Sequence, residues 1–137
     1  MKKLVITATA LLILSVLAMP ATGVAGKGGG GKPKNAKVKV EDDFYSPTTL
    51  KIKKNTKVSF KWDSMNLDTH NVTFKSGPKG VKKTKKPCAK GDITKCNVSG
   101  SGSVGVNFAP TFNKPGTYKF LCTVHPDLMQ LKVVVKK

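Results

Sequence analysis

Cys122-Thr-Val-His125-Pro-Asp-Leu-Met129 brings a thiol, an imidazole and a thioether into one short stretch near the C-terminus, and the other histidine, His70, lies well upstream. Together these groups form the ligand set of a mononuclear copper site. A His₂Cys trigonal plane with a weak axial Met holds the ion between the geometries that Cu(I) and Cu(II) prefer, so an electron comes and goes with little atomic movement. Each residue also has a duller use: a lone histidine on an apolar strand is usually a hydrogen-bonded core residue, a buried cysteine a small hydrophobe, a loop methionine packing. The conjunction outweighs these uses. The chain has only two histidines and three cysteines, and both histidines and one cysteine fall where such a site needs them. Met65 is read as packing. Gln130 or a backbone carbonyl competes with Met129 for the axial position, and either exchange would favour Cu(II) and lower the reduction potential.

The elements that must position these groups read as strands, because apolar residues recur at every second position. Val38 and Val40 alternate with lysines, as do Leu50 and Ile52, and Val58, Phe60 and Trp62 follow after a Lys54-Asn55 turn signal. His70 shares its parity with Val72 and Phe74, which directs the ring inward and turns Asn71, Thr73 and Lys75 outward. Val104, Val106 and Phe108 form another inward row. Tyr118, Phe120 and Cys122 form the next, introduced by the turn Lys114-Pro115-Gly116, and Leu131, Val133 and Val135 close the sheet. No long stretch of the mature region has helical spacing. The expected fold is all-β, a single-domain Greek-key sandwich or barrel.

At the N-terminus Lys2 and Lys3 precede an apolar run from Leu4 to Met19, with small residues at Ala21 and Ala25, the pattern of a cleaved export signal over residues 1–25. The run falls short of the ~20 apolar residues of a spanning helix. Residues 26–39, rich in Gly and Lys, read as a flexible cationic leader, leaving 40–137 for one folded, copper-binding domain, expected to be a monomer. Between Ser76 and Ser103 the alternation gives way to Lys, Gly and Pro. Cys88 and Cys96 lie there, and pairing them in a disulfide leaves Cys122 free for metal. Two free thiols, an intermolecular bridge or a second metal site are the alternatives, zinc being disfavoured by the absence of a Cys-x₂-Cys spacing.

The charge is lopsided. Lysine supplies all 25 basic residues against seven acids, for a net charge of +18. Such a field favours something anionic: an acidic protein partner, an envelope polymer or lipid headgroups. Specific nucleic-acid readout leans on the bidentate fork of arginine, and the chain has none. A surface that merely keeps the protein soluble is the plain alternative.

Phe44-Tyr-Ser-Pro47 with the lysine-rich strand pair after it, the segment Thr69-His70-Asn71-Val72-Thr73-Phe74, and Lys114-Pro115-Gly116-Thr-Tyr118 leading into Cys122-x-x-His125-Pro126 together resemble the cupredoxins. Within them they are similar to the small plastocyanin, amicyanin and pseudoazurin group. The resemblance runs from about Val38 to Lys137. It implies one copper ion bound by His70, Cys122 and His125 with Met129 axial, and likens Asn71 to the residue whose backbone amide hydrogen-bonds the cysteine sulfur. Asn71 reads otherwise as an outward strand residue or, in Asn71-Val-Thr73, a glycosylation acceptor. Two departures bear on the axial position. The spacing Cys-x₂-His-x₃-Met lies between the amicyanin and plastocyanin patterns, and Gln130-Leu131 stand where a Gly often follows the axial Met.

Four protein ligands leave no open position for substrate, and no Ser-His-Asp set, paired carboxylates or phosphate-binding glycine loop stands elsewhere. The expected function is therefore electron transfer and not catalysis. The edge of His125 would serve as exit, Pro126 and Leu128 as a small apolar docking patch, and lysines around it would steer an acidic redox partner into a transient contact. Copper storage or delivery is a second reading, weakened by four methionines in all, Met1 and Met19 lying in the signal. An envelope protein that binds polyanions through its lysines is a third.

Overall fold

The computed structural model describes residues 35–137. Residues 1–25, read as an export signal, and residues 26–34, read as part of a leader, lie outside the described residues. Nine strands form, and among the described residues there is no helix: β1 (Asn35–Glu41), β2 (Phe44–Ser46), β3 (Thr49–Lys53), β4 (Thr56–Trp62), β5 (Thr73–Ser76), β6 (Lys90–Asp92), β7 (Ala109–Phe112), β8 (Gly116–Leu121) and β9 (Gln130–Lys136). One sheet runs β2-β1-β4-β7-β6 and the other β3-β9-β8-β5. Both are mixed, β1 with β4 and β3 with β9 being parallel pairs. The fold is an all-β sandwich.

Alternation decides which face of each strand is buried. Val38, Val40, Val58, Phe60, Tyr118, Phe120, Leu131, Val133 and Val135 are buried between the sheets, and the lysines between them point out. Aromatic rings from both sheets meet in the middle: Phe60 lies 5.1 Å from Phe108, and Phe112 meets Tyr118 edge-on at 5.1 Å and Phe120 at 6.2 Å between centroids. The Tyr118 hydroxyl donates to the Lys114 carbonyl at 2.7 Å, and burial, then the charge of Asp92, pushes its pKa up to about 12. Asn55 turns the chain between β3 and β4 with φ of 66°, a conformation asparagine tolerates. Gly116 has φ of 137° and lies so close to Pro78 that a Cβ there would come within 2.5 Å of its ring.

Four expectations are corrected. Residues 35–39, read as the end of a flexible leader, belong to β1, where Val38 pairs with Phe60 in register and is fully buried. The row Val104, Val106, Phe108 is no continuous strand: Gly105 takes φ of 71° and Val104 is exposed, while Phe108 is buried as expected and bridges Phe60 just before β7 begins at Ala109. Around His70 the strand begins late, at Thr73, and Asn71 and Thr73 do not face solvent. Segment 97–102 covers their other side, with His70 bridging Gly102 and Thr73 bridging Val98, and all five residues from His70 to Phe74 are buried. Met65 is not packing; it is 80% exposed.

The segment between Ser76 and Ser103 holds an unforeseen edge strand, β6, parallel to β7. Cys88 and Cys96 are joined in a disulfide. With few apolar anchors in this stretch, the cross-link, closing so short a loop, contributes on the order of 2–3 kcal/mol by restricting the unfolded chain. Cys122 is the free cysteine, fully buried.

Candidate metal centre

Three connections and one long segment meet at one end of the sandwich: the β1–β2 turn, residues 63–72 between β4 and β5, residues 97–108, and the β8–β9 loop. Cys122 follows directly on β8, so the inward parity of Tyr118 and Phe120 carries its sulfur to the floor of this end. The loop that follows is closed by two backbone bonds, Cys122 N–H to the Met129 carbonyl at 3.1 Å and Met129 N–H to the His125 carbonyl at 2.9 Å. The sequence between these residues contributes Pro126 and Leu128, both exposed, and returns Met129 to the core with no exposed surface. Gln130 faces outward and donates from Nε2 to the Pro126 carbonyl at 3.2 Å, away from the cysteine.

His70 is fully buried, held by a reciprocal pair of backbone bonds with Gly102 at 3.1 Å. Its ring centroid lies 5.1 Å from that of His125. Ligand atoms of His70, Cys122 and His125 lie within 4.8 Å of one another, which fits one ion at bond lengths of about 2.0–2.3 Å.

The hydrogen bonds fix which nitrogen each ring offers. Nε2 of His70 is 2.7 Å from Oδ1 of Asp42. That hydrogen bond, and then the Leu67 amide, holds the Asp42 carboxyl below its ordinary pKa, so it is an acceptor and Nε2 of His70 carries the hydrogen. Nδ1 is then a lone pair, and it is buried without a hydrogen-bond partner. Nδ1 of His125 is likewise buried and unpartnered, while its Nε2 lies 3.8 Å from Oδ2 of Asp68. Two orphaned imidazole nitrogens beside a buried thiol would be a costly arrangement without a common acceptor of their lone pairs. A thiolate and two neutral imidazoles are what copper takes, and the residues fit it.

Asn71 ties the two ligand-bearing segments together. Its backbone N–H lies 3.5 Å from Sγ of Cys122. Its side chain accepts from the Thr123 amide at 3.0 Å and from the Thr73 hydroxyl at 3.1 Å, and Nδ2 donates to Thr123 Oγ1 at 2.7 Å and Ser101 Oγ at 3.3 Å. Its carbonyl accepts from the Tyr45 hydroxyl at 2.5 Å. Burial above all, and then the nearby Cys122, raises the Tyr45 pKa, so the phenol stays a donor. Asn71→Ala would leave several of these buried groups unpaired, and an apoprotein destabilised by about 2–4 kcal/mol in urea unfolding is expected. A change below about 0.5 kcal/mol would mean that these bonds are exchanged for water at no net loss.

Asp42, Asp68, Tyr45 and Thr123 were not singled out from sequence. The available signals were Glu41-Asp42-Asp43, a run of acids in a chain of lysines, and for Tyr45 its place in Phe44-Tyr-Ser-Pro47. The lysines expected around His125 are also not found. Residues 41–50, 63–72, 97–108 and 122–131 contain none.

An all-β sandwich with a buried His, a buried Cys and a partly exposed His converging at one end defines a cupredoxin-type copper protein. The chain belongs to the family of copper binding proteins of the plastocyanin/azurin type, whose profile matches residues 34–136. Its cofactor is copper. It is 33% identical over 102 residues to amicyanin-alpha of Methylorubrum extorquens, covering 74% of this chain and 72% of that one. The fold is similar to amicyanin from Paracoccus versutus, with a TM-score of 0.51 at 24% identity over 78% of this chain and 86% of that one. It is also similar to part of a copper-containing nitrite reductase from Thermus scotoductus, with a TM-score of 0.58 at 22% identity over 83% of this chain and 25% of that much longer one. At these identities the two structures speak for the fold alone.

Proposed function

We propose that this chain is an exported one-electron carrier, and that His70, Cys122 and His125 bind its copper with Met129 axial. The observation that carries the reading is the convergence of one buried thiol and two buried, unpartnered Nδ1 atoms at an end of the sandwich where one ring reaches the surface. Copper bound there supplies a Cu(I)/Cu(II) couple. The chain's residues supply rigidity. Asp42 and Gly102 hold His70, Asn71 holds Cys122 and Thr123, and the β8–β9 loop is closed on itself, so these residues would hold the ion with little rearrangement as the electron comes and goes. Met129, fully buried where the loop returns, suits the axial position better than Gln130, which faces solvent.

His125 is the exit. Its side chain is 20% exposed although Nδ1 is buried, so the outward edge is the one away from the metal. Exposed Val124, Pro126 and Leu128 flank it, a surface suited to a small, short-lived contact with a redox protein. Export is supported by the composition of residues 1–25 and by a disulfide, which persists outside the reducing cytoplasm. Lysines on the outward strand faces suit attraction to anionic envelope polymer or lipid, away from the exit.

Adding Cu(II) to the purified protein should produce an intense visible thiolate-to-copper band that ascorbate bleaches and air or ferricyanide restores, together with a reversible one-electron wave in voltammetry. A colourless copper complex would overturn the site. A coloured complex that binds and releases copper but shows no reversible wave would replace the carrier by a copper storage or delivery protein.

A further inference from the structure

We infer that the docking face around His125 is acidic, against the sign of the whole molecule, and that its redox partner presents a basic face. The inference rests on the carrier reading and adds the chemistry of the partner to it.

Six of the seven acids of this chain gather at the copper end: Asp42, Asp43, Asp63, Asp68 and Asp127 lie on the connections that meet there, and Glu41 is the last residue of β1 leading into them. Only Asp92 lies elsewhere, on β6. That these connections share one end follows from their contacts. The Leu67 amide donates to Asp42 at 2.9 Å, Asn66 Nδ2 to the Val40 carbonyl at 2.9 Å, and Asp68 stands 3.8 Å from His125. In a chain with 25 lysines the same connections carry none. Lys39, two residues before the end of β1, is engaged by Glu41 at 3.4 Å and Asp63 at 3.9 Å, and Lys61 on β4 stands opposite it in register. The lysine-bearing turns lie at the opposite end. Lys53 and Lys54 precede β4, which runs toward the site, and Lys114 precedes β8, which leads into Cys122.

The apolar surface is segregated in the same way. Met65, Leu67, Val124 and Leu128 are about half exposed or more and lie on the loops to either side of His125, Leu67 next to Asp68 and Leu128 next to Asp127. A groove of about 380 Å³ between the β1–β2 turn and residues 63–66 is walled by Glu41, Asp42, Asp63, Phe44, Met65 and Asn66, with Lys39, paired to Glu41 and Asp63, as the one basic residue of its lining. Apolar contact area beside acids is what a lysine-ringed redox protein meets with complementary charge. At an ionic strength of about 0.15 M, charges more than about 8 Å apart are screened, so the face in contact and not the net charge sets the sign of the attraction.

The test is a charge-neutralised pair, Asp43→Asn with Asp127→Asn, both at exposed positions that make no bond to a ligand side chain. A second pair, Lys53→Gln with Lys54→Gln, changes net charge at the far end. Stopped-flow follows one electron passing from the reduced, copper-loaded protein to ferric haem in a c-type cytochrome whose haem edge is ringed by lysines, with no bond made or broken. Hexacyanoferrate(III) serves as the anionic counterpart. At an ionic strength of about 0.05 M the acid pair should slow the cytochrome reaction about three- to tenfold and speed that of hexacyanoferrate, with the visible band unchanged, while the lysine pair moves either rate less than twofold. A cytochrome rate that is unchanged or raised in the acid pair would overturn the inference, as would a lysine pair acting as strongly. If the parent protein passes electrons to neither oxidant, the carrier reading itself fails.

Discussion

Cys122→Ser is expected to give a folded protein that stays colourless with Cu(II). The sulfur is buried at the end of β8 and is approached by one protein donor, the Asn71 amide at 3.5 Å. A hydroxyl fits that volume and offers the amide a better acceptor, so the apoprotein loses only the difference between burying a thiol and a hydroxyl, about 1–2 kcal/mol. Metal binding is another matter. Serine is not deprotonated near neutral pH and is a hard donor, so the soft equatorial bond that favours copper and generates the visible band has no replacement. Thermal unfolding with and without copper checks both halves. The parent should gain about 4 kcal/mol when free copper stands a thousandfold above its dissociation constant, and the variant should gain far less at the same concentration. An intense visible band in Cys122→Ser would remove the thiolate from the site.

The second large effect falls on Asp42, which sequence alone did not identify. Asp42→Ala should weaken copper binding about 10–100-fold, the range found when a partner of a metal-bound histidine is removed, and should raise the reduction potential. The carboxylate at 2.7 Å holds the hydrogen of His70 on Nε2 and so keeps the lone pair on Nδ1. It also makes the ring a stronger donor, which favours Cu(II) over Cu(I). Without it His70 can take the other tautomer, and the Leu67 and Asp68 amides, which Asp42 accepts at 2.9 and 3.3 Å, lose their anchor. Asp42→Asn separates these contributions. Its amide oxygen still accepts from Nε2, so affinity should recover most of the way while the potential stays above that of the parent. Chelator competition, voltammetry and the nitrogen shifts of the His70 ring provide the readouts. Affinity and potential equal to the parent in both variants would reduce Asp42 to a surface residue.

The inner faces of β1, β4, β8 and β9 were legible because alternation with lysine is a local signal. A strand with one face in the core and one in water shows its period within a few residues, as Val58, Phe60 and Tyr118, Phe120 do. The residues that converge on the centre were legible for a related reason: two histidines and one unpaired cysteine leave few ways to assemble such a site. The segments around His70 and Val104 misled because neither is a strand open to water on one side. Asn71 and Thr73 are covered by residues 97–102, and Gly105 interrupts the 104–108 row. Parity says nothing of a second layer laid over a strand from far along the chain.

Chain order alone therefore pointed to the three residues that converge, to the all-β class and to the inward faces of the regular strands, since these depend on residue type and short spacing. Folding decided what stands around the ligands. Asp42 reaches His70, Asn71 holds Thr123, and six acids gather where lysines were expected, because residues distant in sequence become neighbours only when the two sheets close over one another. The net charge of a chain is a sum, and a sum cannot say which end of a sandwich carries which sign.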